Sequence, residues 1–374
     1  MIPSLALAAA LALAQFILVG GSVRPTRQAG TLPHTPPTGH RVQARPADAL
    51  TGSPLPELAV AVGGPAEDPA YLPVYAASAL GAFEAEGVRP TLRRAKHPTA
   101  AITALRDGGA AVAVTTTDQA VRGAWARGKP VRILVAHTWV PAVTLLVSPK
   151  HRDRISRVED LRGQRVGIPG PGTTGHLVLA SLLDARGVGP WQLDLLSVGG
   201  AALAARLAAG DLVAAVVEEP WTSRALAARA GEVLLDLRRP EDTVRHLGYP
   251  FYEVVSVAPA DDPERHRESA LTAFARALIR VQTWLAATSA EAIADRLPAE
   301  LVGDRPRFVT RLAALHGAHP PSGEATEEGL VATFRVLRAG SPWPVTLKVT
   351  PRDLREPPFV TAARGRLGPN PAPP

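Results

Sequence analysis

The run Pro169-Gly170-Pro171-Gly172-Thr173-Thr174-Gly175-His176 has the residue types that hold a small ligand. Glycines let a backbone approach a ligand closely. Thr173 or Thr174 can cap a helix that starts here,. The open amides of a helix N-terminus suit a carboxylate, sulfonate, phosphate or nitrate. An ordinary glycine turn with a threonine cap has the same composition, so both readings stand. The run is not a Walker A loop, because no Gly-Lys-Ser/Thr follows, and it is not a complete Gly-x-Gly-x-x-Gly fingerprint,. His176 falls in the first helical turn, where it can meet a ligand or serve a structural role.

Glu218 and Glu219 end an apolar run and precede Pro220-Trp221. Either could accept hydrogen bonds from an amine or a heterocycle N–H, or be a solvated loop carboxylate. Glu219 is the stronger candidate. A carboxylate beside an anion-binding turn suits a zwitterion, or a heterocycle with an anionic group, better than a simple anion. Trp139, Trp221, Tyr249 and Phe251 fall on loops of the same kind, in a chain with only 5% aromatic residues. Their faces could sandwich a flat ligand. Cysteine is absent, which excludes a disulfide framework, cysteine-ligated metal and a cysteine nucleophile,. No His-x-x-x-His pair or Gly-x-Ser-x-Gly elbow occurs, so no metal, cofactor or catalytic constellation is expected,.

Alternating strands and helices must position these residues. Strands are expected at 58–62, 89–94, 111–115 and 131–136, with helices between them. The order recurs with strands at 165–168, 193–198, 212–217 and 233–237. Strand–helix alternation implies parallel βαβ units. A shift of 101 residues lays Gly109 on Gly210, Val112 on Val213, Asp118 on Glu219 and Ile133 on Leu234. Two similar α/β lobes follow. Ligands of such sheets bind beyond the carboxyl ends of the strands. The candidate loops are therefore 63–71, 115–118, 137–139, 170–176 and 218–221, with 249–252 beside a hinge. Extended segments 143–147 and 254–258 read as paired connections between the lobes. Four later helices, over 265–285, 290–297, 305–316 and 326–339, would pack on the first lobe or behind the hinge.

The domain reading is then residues 1–21 as signal peptide or N-terminal anchor and 22–56 as a proline-rich linker. Residues 57–146 with 254–340 make a first lobe with C-terminal helices, 147–253 a second lobe, and 341–374 a proline-rich tail. Residues 4–20 are nearly all apolar and lead into Gly20-Gly21-Ser22, which suits export followed by cleavage,. The tail could hold a strand at 345–349. Formal net charge is +7, which alone would raise nucleic acid as a partner. Linker and tail each carry +3 and the first 21 residues none, so 57–340 nets +1. The folded body offers no nucleic-acid track, and ligand choice rests on local groups.

The segment 167–221 resembles the solute-binding proteins of ABC importers. It carries the proline-glycine-threonine helix start, Gly199-Gly200 and a strand running into Glu-Pro-Trp. The nearest group is the nitrate/sulfonate/taurine type, which includes binders of thiamine-pyrimidine precursors. Residues 73–87, with Gly-Ala-Phe-Glu-Ala-Glu-Gly, resemble that family's first helix, and 155–167 its Asp-Leu-Lys-Gly-Lys-x-Val-Gly entry to the second lobe. The likeness covers about residues 57–300 and implies a type II periplasmic-binding-protein-like fold, two βαβ lobes joined by two crossover strands. It implies a small-molecule ligand, delivery to an ABC permease, a monomer, and a periplasmic or extracytoplasmic location, soluble or tethered. Carried over by position, the ligand-binding residues are Gly64, Tyr71, Thr116, Thr117, Trp139, Gly172, Thr173, Thr174, Glu219 and Trp221. His176 and Tyr249 join them from the loop positions. There is no lipobox cysteine, so any anchor would be the N-terminal helix. Enzymes share the fold (a menaquinone-pathway enzyme and pyrimidine-precursor synthases), and a membrane-tethered ligand sensor is a further alternative. The leading apolar segment argues against a cytoplasmic enzyme, and the missing cysteine against the cysteine-dependent synthase.

Overall fold

The computed structural model describes residues 54–261, 267–340 and 347–355, with Thr361, Ala363 and Gly365. The expected signal or anchor (1–21), all but the end of the linker (22–56) and most of the tail (341–374) lie outside the described residues. Ten strands alternate with helices: β1 (Glu57–Val62), β2 (Arg89–Arg94), β3 (Val112–Thr116), β4 (Val131–Ala136), β5 (Val143–Val147), β6 (Arg165–Ile168), β7 (Asp194–Ser197), β8 (Ala214–Glu218), β9 (Glu232–Asp236) and β10 (Val254–Pro259). The residues Leu347–Val349 are irregular, so the part of the expected tail strand that is described does not form.

The strands make two five-stranded sheets of the same plan, β2-β1-β3-β10-β4 and β7-β6-β8-β5-β9. In the first, β1 runs parallel to β2 and β3, and β10 is antiparallel to both β3 and β4. In the second, β6 runs parallel to β7 and β8, and β5 is antiparallel to both β8 and β9. The internal repeat is thus a repeat of topology. Segments 143–147 and 254–258 do not pair with each other. Each inserts as the antiparallel strand of a different sheet, because each is mainly apolar, with a single buried hydroxyl (Thr144 or Ser256), and can be buried on both faces,. The second sheet is therefore built from one continuous stretch, β5 to β9, whereas the first takes β1 to β4 and gains β10 only after the chain returns from the second.

The strands β3, β4, β5 and β8 are buried along nearly their whole length, β4 although it lies at an edge, while the opposite edge strand β2, with Arg89, Arg93 and Arg94, is largely exposed. The long Arg267–Ala287 helix closes the core of the first sheet, where Phe274 stacks on Phe83 with ring centroids 5.0 Å apart. The Glu327–Gly340 helix was expected on the first lobe or behind the hinge. It lies against the Thr174–Asp184 helix of the second sheet, with Gly340 against Leu177 and Ala180. Small residues at that crossing allow the close approach. The same helix also meets the chain just before β10, where Thr333 Oγ1 accepts from the Tyr252 N–H at 3.0 Å.

Candidate functional site

Two adjoining cavities open where strand ends of both sheets meet. One, of about 260 Å³, is lined by residues including Thr116, Thr117, Gly172, Thr173, Thr174 and Leu337. The other, of about 200 Å³, is lined by residues including Asp68, Tyr71, Thr138 and His319. Pro98, Thr116, Glu218 and Glu253 line both. Thr116 is the last residue of β3 and Glu218 the last of β8, the equivalent strand of the second sheet. Glu253 directly precedes β10, and its carbonyl accepts from the Thr117 N–H at 2.9 Å.

Backbone geometry builds the Thr174–Asp184 helix start as the sequence implies. Gly172 takes a left-handed φ of +78°, a conformation costly for residues with a Cβ. Thr173 is the N-cap: its hydroxyl accepts from the His176 N–H at 3.4 Å and donates to the Gly170 carbonyl at 2.8 Å. Several of these amides are taken by the protein itself, however. The Gly172 N–H donates to His176 Nδ1 at 3.0 Å, and the Gly175 N–H donates to the Glu218 carboxylate. The Thr174 hydroxyl donates to Glu253. Side chains of the protein itself occupy the place where an external anion was expected. His176 serves the turn, and burial lowers its pKa.

The two adjacent glutamates divide. Glu219, the stronger candidate by sequence, accepts from Arg238 Nη1 at 2.7 Å and from Ser223 Oγ at 3.0 Å. Its side chain is 4% exposed. Arg238 also holds Asp236 at 2.6 Å, and this keeps the Asp236 carboxyl below the usual range despite burial. Glu218 has no such cation. Burial and the nearby Asp68 raise its pKa against the effect of the Gly175 amide. Burial, then Glu218 and Asp68, push Glu253 well above the ordinary carboxylate range. Burial raises Asp68 as well; it is tempered by the Ala70 amide, which donates to Asp68 Oδ1 at 3.0 Å, and by the field of Arg311. The Tyr71 hydroxyl is raised by burial and by Asp68 and Glu253. Like charges in a shared low-dielectric space resist ionisation, so these carboxyls retain protons more readily than surface acids do.

Beside them lies a pair of fully buried histidines. His137 Nε2 meets Ser256 Oγ at 2.6 Å, and His319 Nδ1 lies 2.8 Å from the His137 carbonyl. Burial holds the pKa of His137 down to about 3 and that of His319 to about 4, so both are neutral near pH 7. A carbonyl only accepts, so His319 Nδ1 carries the proton and Nε2 is an acceptor. That Nε2 has no partner among the described residues.

Of the residues singled out by sequence, Tyr71, Thr116, Thr117, Gly172, Thr173, Thr174 and Glu219 line the cavities. Phe251 lines the first although it is almost wholly buried. The Thr117 hydroxyl is already engaged, donating to the Tyr252 carbonyl at 2.7 Å. Gly64 supports Tyr71 from behind, since a Cβ there would sit 2.2 Å from the tyrosine ring; its carbonyl accepts from Tyr75. Trp139, Trp221 and Tyr249 stand outside the cavity walls. Trp139 donates through Nε1 to the Gly317 carbonyl at 2.5 Å and packs beside Val140 and Leu315. Trp221 lies on Gly200, with the Arg224 guanidinium 4.6 Å from its ring centroid. Tyr249 is exposed. Asp68, Glu253 and His319 escaped the sequence reading. Asp68 falls within a candidate loop, and Glu253 is an acid at the mouth of a mainly apolar strand, which is the signal that could have marked it. Among the described residues no group of three or more His, Asp or Glu side chains is arranged to hold a metal ion.

The family model described as NMT1/THI5 like matches residues 68–292. No curated protein matches the chain. Among solved structures, a protein of Bordetella bronchiseptica RB50 is similar with a TM-score of 0.65 and 22% identity, covering 83% of this chain and 97% of its own. The periplasmic nitrate-binding protein NrtA from Synechocystis PCC 6803 is similar with a TM-score of 0.58 and 14% identity, over 84% and 90%. The periplasmic aliphatic sulphonate binding protein SsuA from Escherichia coli is similar with a TM-score of 0.54 and 18% identity, over 71% and 84%. At these identities the likeness is one of fold: α/β, two-lobed, of the periplasmic-binding-protein kind.

Proposed function

From the premise that this chain belongs to the NMT1/THI5-like family, we propose that it is a non-enzymatic solute receptor. It captures a small molecule between two α/β lobes and delivers it to an ABC importer outside the cytoplasm. The observation that carries this reading is the polar cavity walled by Thr116 of one sheet and Glu218 of the other. A ligand held by both strand ends ties the lobes together, and hinge motion at the 137–142 and 237–253 links would gate its entry. The ligand contacts come from Tyr71, Thr116, Thr117, Gly172, Thr173 and Thr174. Of the anionic, zwitterionic and heterocyclic ligands that the sequence allows, the geometry favours those presenting N–H donors, because the helix amides already serve Glu218 and His176.

Nitrate and sulphonate receptors of similar fold support a transport role. Among the described residues no helix is long and apolar enough to cross a membrane. A thermal-shift screen of small solutes, followed by solution scattering, tests the proposal. At least one solute should raise the unfolding temperature and compact the chain, and Tyr71→Phe and Thr174→Val should weaken its binding several-fold. No stabilisation by any small solute, or turnover of a bound one, overturns the receptor reading.

A further inference from the structure

We infer that the cleft takes a small organic cation rich in N–H donors, an ammonium or amidinium head group, in preference to an anion. The inference rests on the receptor reading and names the chemistry of its ligand. Three carboxyl groups, Asp68, Glu218 and Glu253, come to the cavities from three distant parts of the chain. Among the described residues no lysine or arginine lines either cavity. The neighbouring acid Glu219, by contrast, has the Arg238 guanidinium at 2.7 Å. The cluster has no equivalent partner: it is met by neutral donors only, the Gly175 amide at Glu218, the Thr174 hydroxyl at Glu253 and the Ala70 amide at Asp68.

A second observation points the same way from a different residue. His319 is 4% exposed and stands in the wall of the cavity that holds Asp68, Glu218 and Glu253. Its Nε2 is an unpartnered acceptor,. Leaving a buried acceptor unmade is costly, and an N–H donor on the ligand satisfies it. A quaternary ammonium has no N–H to give, so primary ammonium, guanidinium and amidinium heads fit best. An entering anion would meet three acids, with the Gly175 amide at the start of the Thr174–Asp184 helix already serving Glu218.

The groups facing Glu253 are Glu218 at the end of β8, Asp68 before Pro69, Thr174 at the helix start and the Tyr71 hydroxyl, with Arg311 acting on Asp68. A bound cation stabilises the ionised carboxylates. Binding should therefore release protons and strengthen as pH rises.

The test is calorimetric titration of the full chain with benzamidine, agmatine and putrescine, and separately with taurine, methanesulfonate and nitrate. Each is run in two buffers of different ionisation enthalpy and at about pH 5 and about pH 8. At least one cation should bind with proton release, more tightly at the higher pH. Glu253→Gln should cost at least about 30-fold in its affinity, and Glu218→Gln should weaken it too. The unliganded Gln variants should melt no lower than wild type, because the amide oxygen can still accept from Gly175 or Thr174 while the repulsion is lost. Anions binding more tightly than every cation would overturn the cation inference and leave the receptor reading in place. No binding by either set would remove both. A cation whose affinity both Gln variants leave unchanged would overturn the role of this cluster.

Discussion

The two sheets share one plan yet bury opposite kinds of polar group at equivalent corners. Past the end of β4, the corner of the first sheet holds His137 against Ser256 of β10, with His319 bonded to the His137 carbonyl. At the corresponding corner of the second, Asp236 ends β9, accepts from Thr144 of β5 at 3.3 Å and is held by Arg238, which also holds Glu219. One corner is neutral because burial keeps both imidazoles unprotonated. The other is ionic because a guanidinium lies between two carboxylates. Repetition of topology therefore does not repeat electrostatics: each corner is stabilised by the partners its own loops supply.

The largest expected effect breaks the ionic corner. Arg238→Ala leaves Glu219 and Asp236 buried without their cation and should cost about 3–5 kcal/mol in chemical denaturation. A loss under about 1 kcal/mol would mean water replaces the guanidinium and the corner is not ionic in solution.

Acid should separate the corners next. A histidine held near 4 when folded, against 6.5 in the open chain, leaves the folded state with fewer protons between those values. Its contribution is complete above about pH 6.5 and is lost as pH falls towards 4, by about 3 kcal/mol at most. Asp236 is lowered, so its contribution persists to pH values below the usual carboxylate range. Hydrogen exchange near pH 5 should then show β4 and β10 opening before β5 and β9. The raised carboxyls Asp68, Glu218 and Glu253 take up protons in the same window with the opposite sign. The clean measurement is thus wild type against His319→Asn, whose stability difference should shrink as pH drops. A constant difference would sink the neutral-corner account.

A smaller effect is expected at the helix start. Thr174→Val removes the hydroxyl that donates to Glu253 and should destabilise the chain by about 1 kcal/mol, more at high pH than at low, because Glu253 is then ionised,. The smallest concerns Asp118, which the 101-residue shift sets opposite Glu219. It too meets an arginine, Arg122 at 2.5 Å, but both side chains keep some exposure, 27% and 16%. Arg122→Ala should cost under about 1 kcal/mol. A loss as large as that of Arg238→Ala would show that the two pairs are energetic equivalents after all.

Much of the architecture is legible in the chain itself. Short apolar strands alternate with helices, and the breaks fall at glycines such as Gly87, Gly108 and Gly187, each with positive φ. The 101-residue shift lays β4 on β9, while β3 and β8 align one residue further on. Residues 112–116 and 214–218 are the equivalent strands, so Thr116 corresponds to Glu218. Of the two acids, Glu219 lines one cavity and is held by Arg238, whereas Glu218 lines both without such a cation. Trp139 and Trp221 were drawn in by loop position, but sequence position does not reveal that each finds a local surface to cover, Gly317 for one and Gly200 for the other.

What the sequence by itself determined is local: strand and helix order, the turn at Gly172, the cap at Thr173 and the doubling of the α/β unit. These follow from backbone propensities and from periodicity within a few residues. Tertiary structure alone decided which polar groups the protein uses and which it leaves for a partner. Asp68, Glu218 and Glu253 meet across long stretches of chain, and the helix amides acquire a carboxylate more than forty residues away, Gly175 to Glu218. The physical reason is that a charge is tuned by whatever lies within a few ångströms of it in a low dielectric. Residue spacing along the chain carries no record of those neighbours until the two sheets are built.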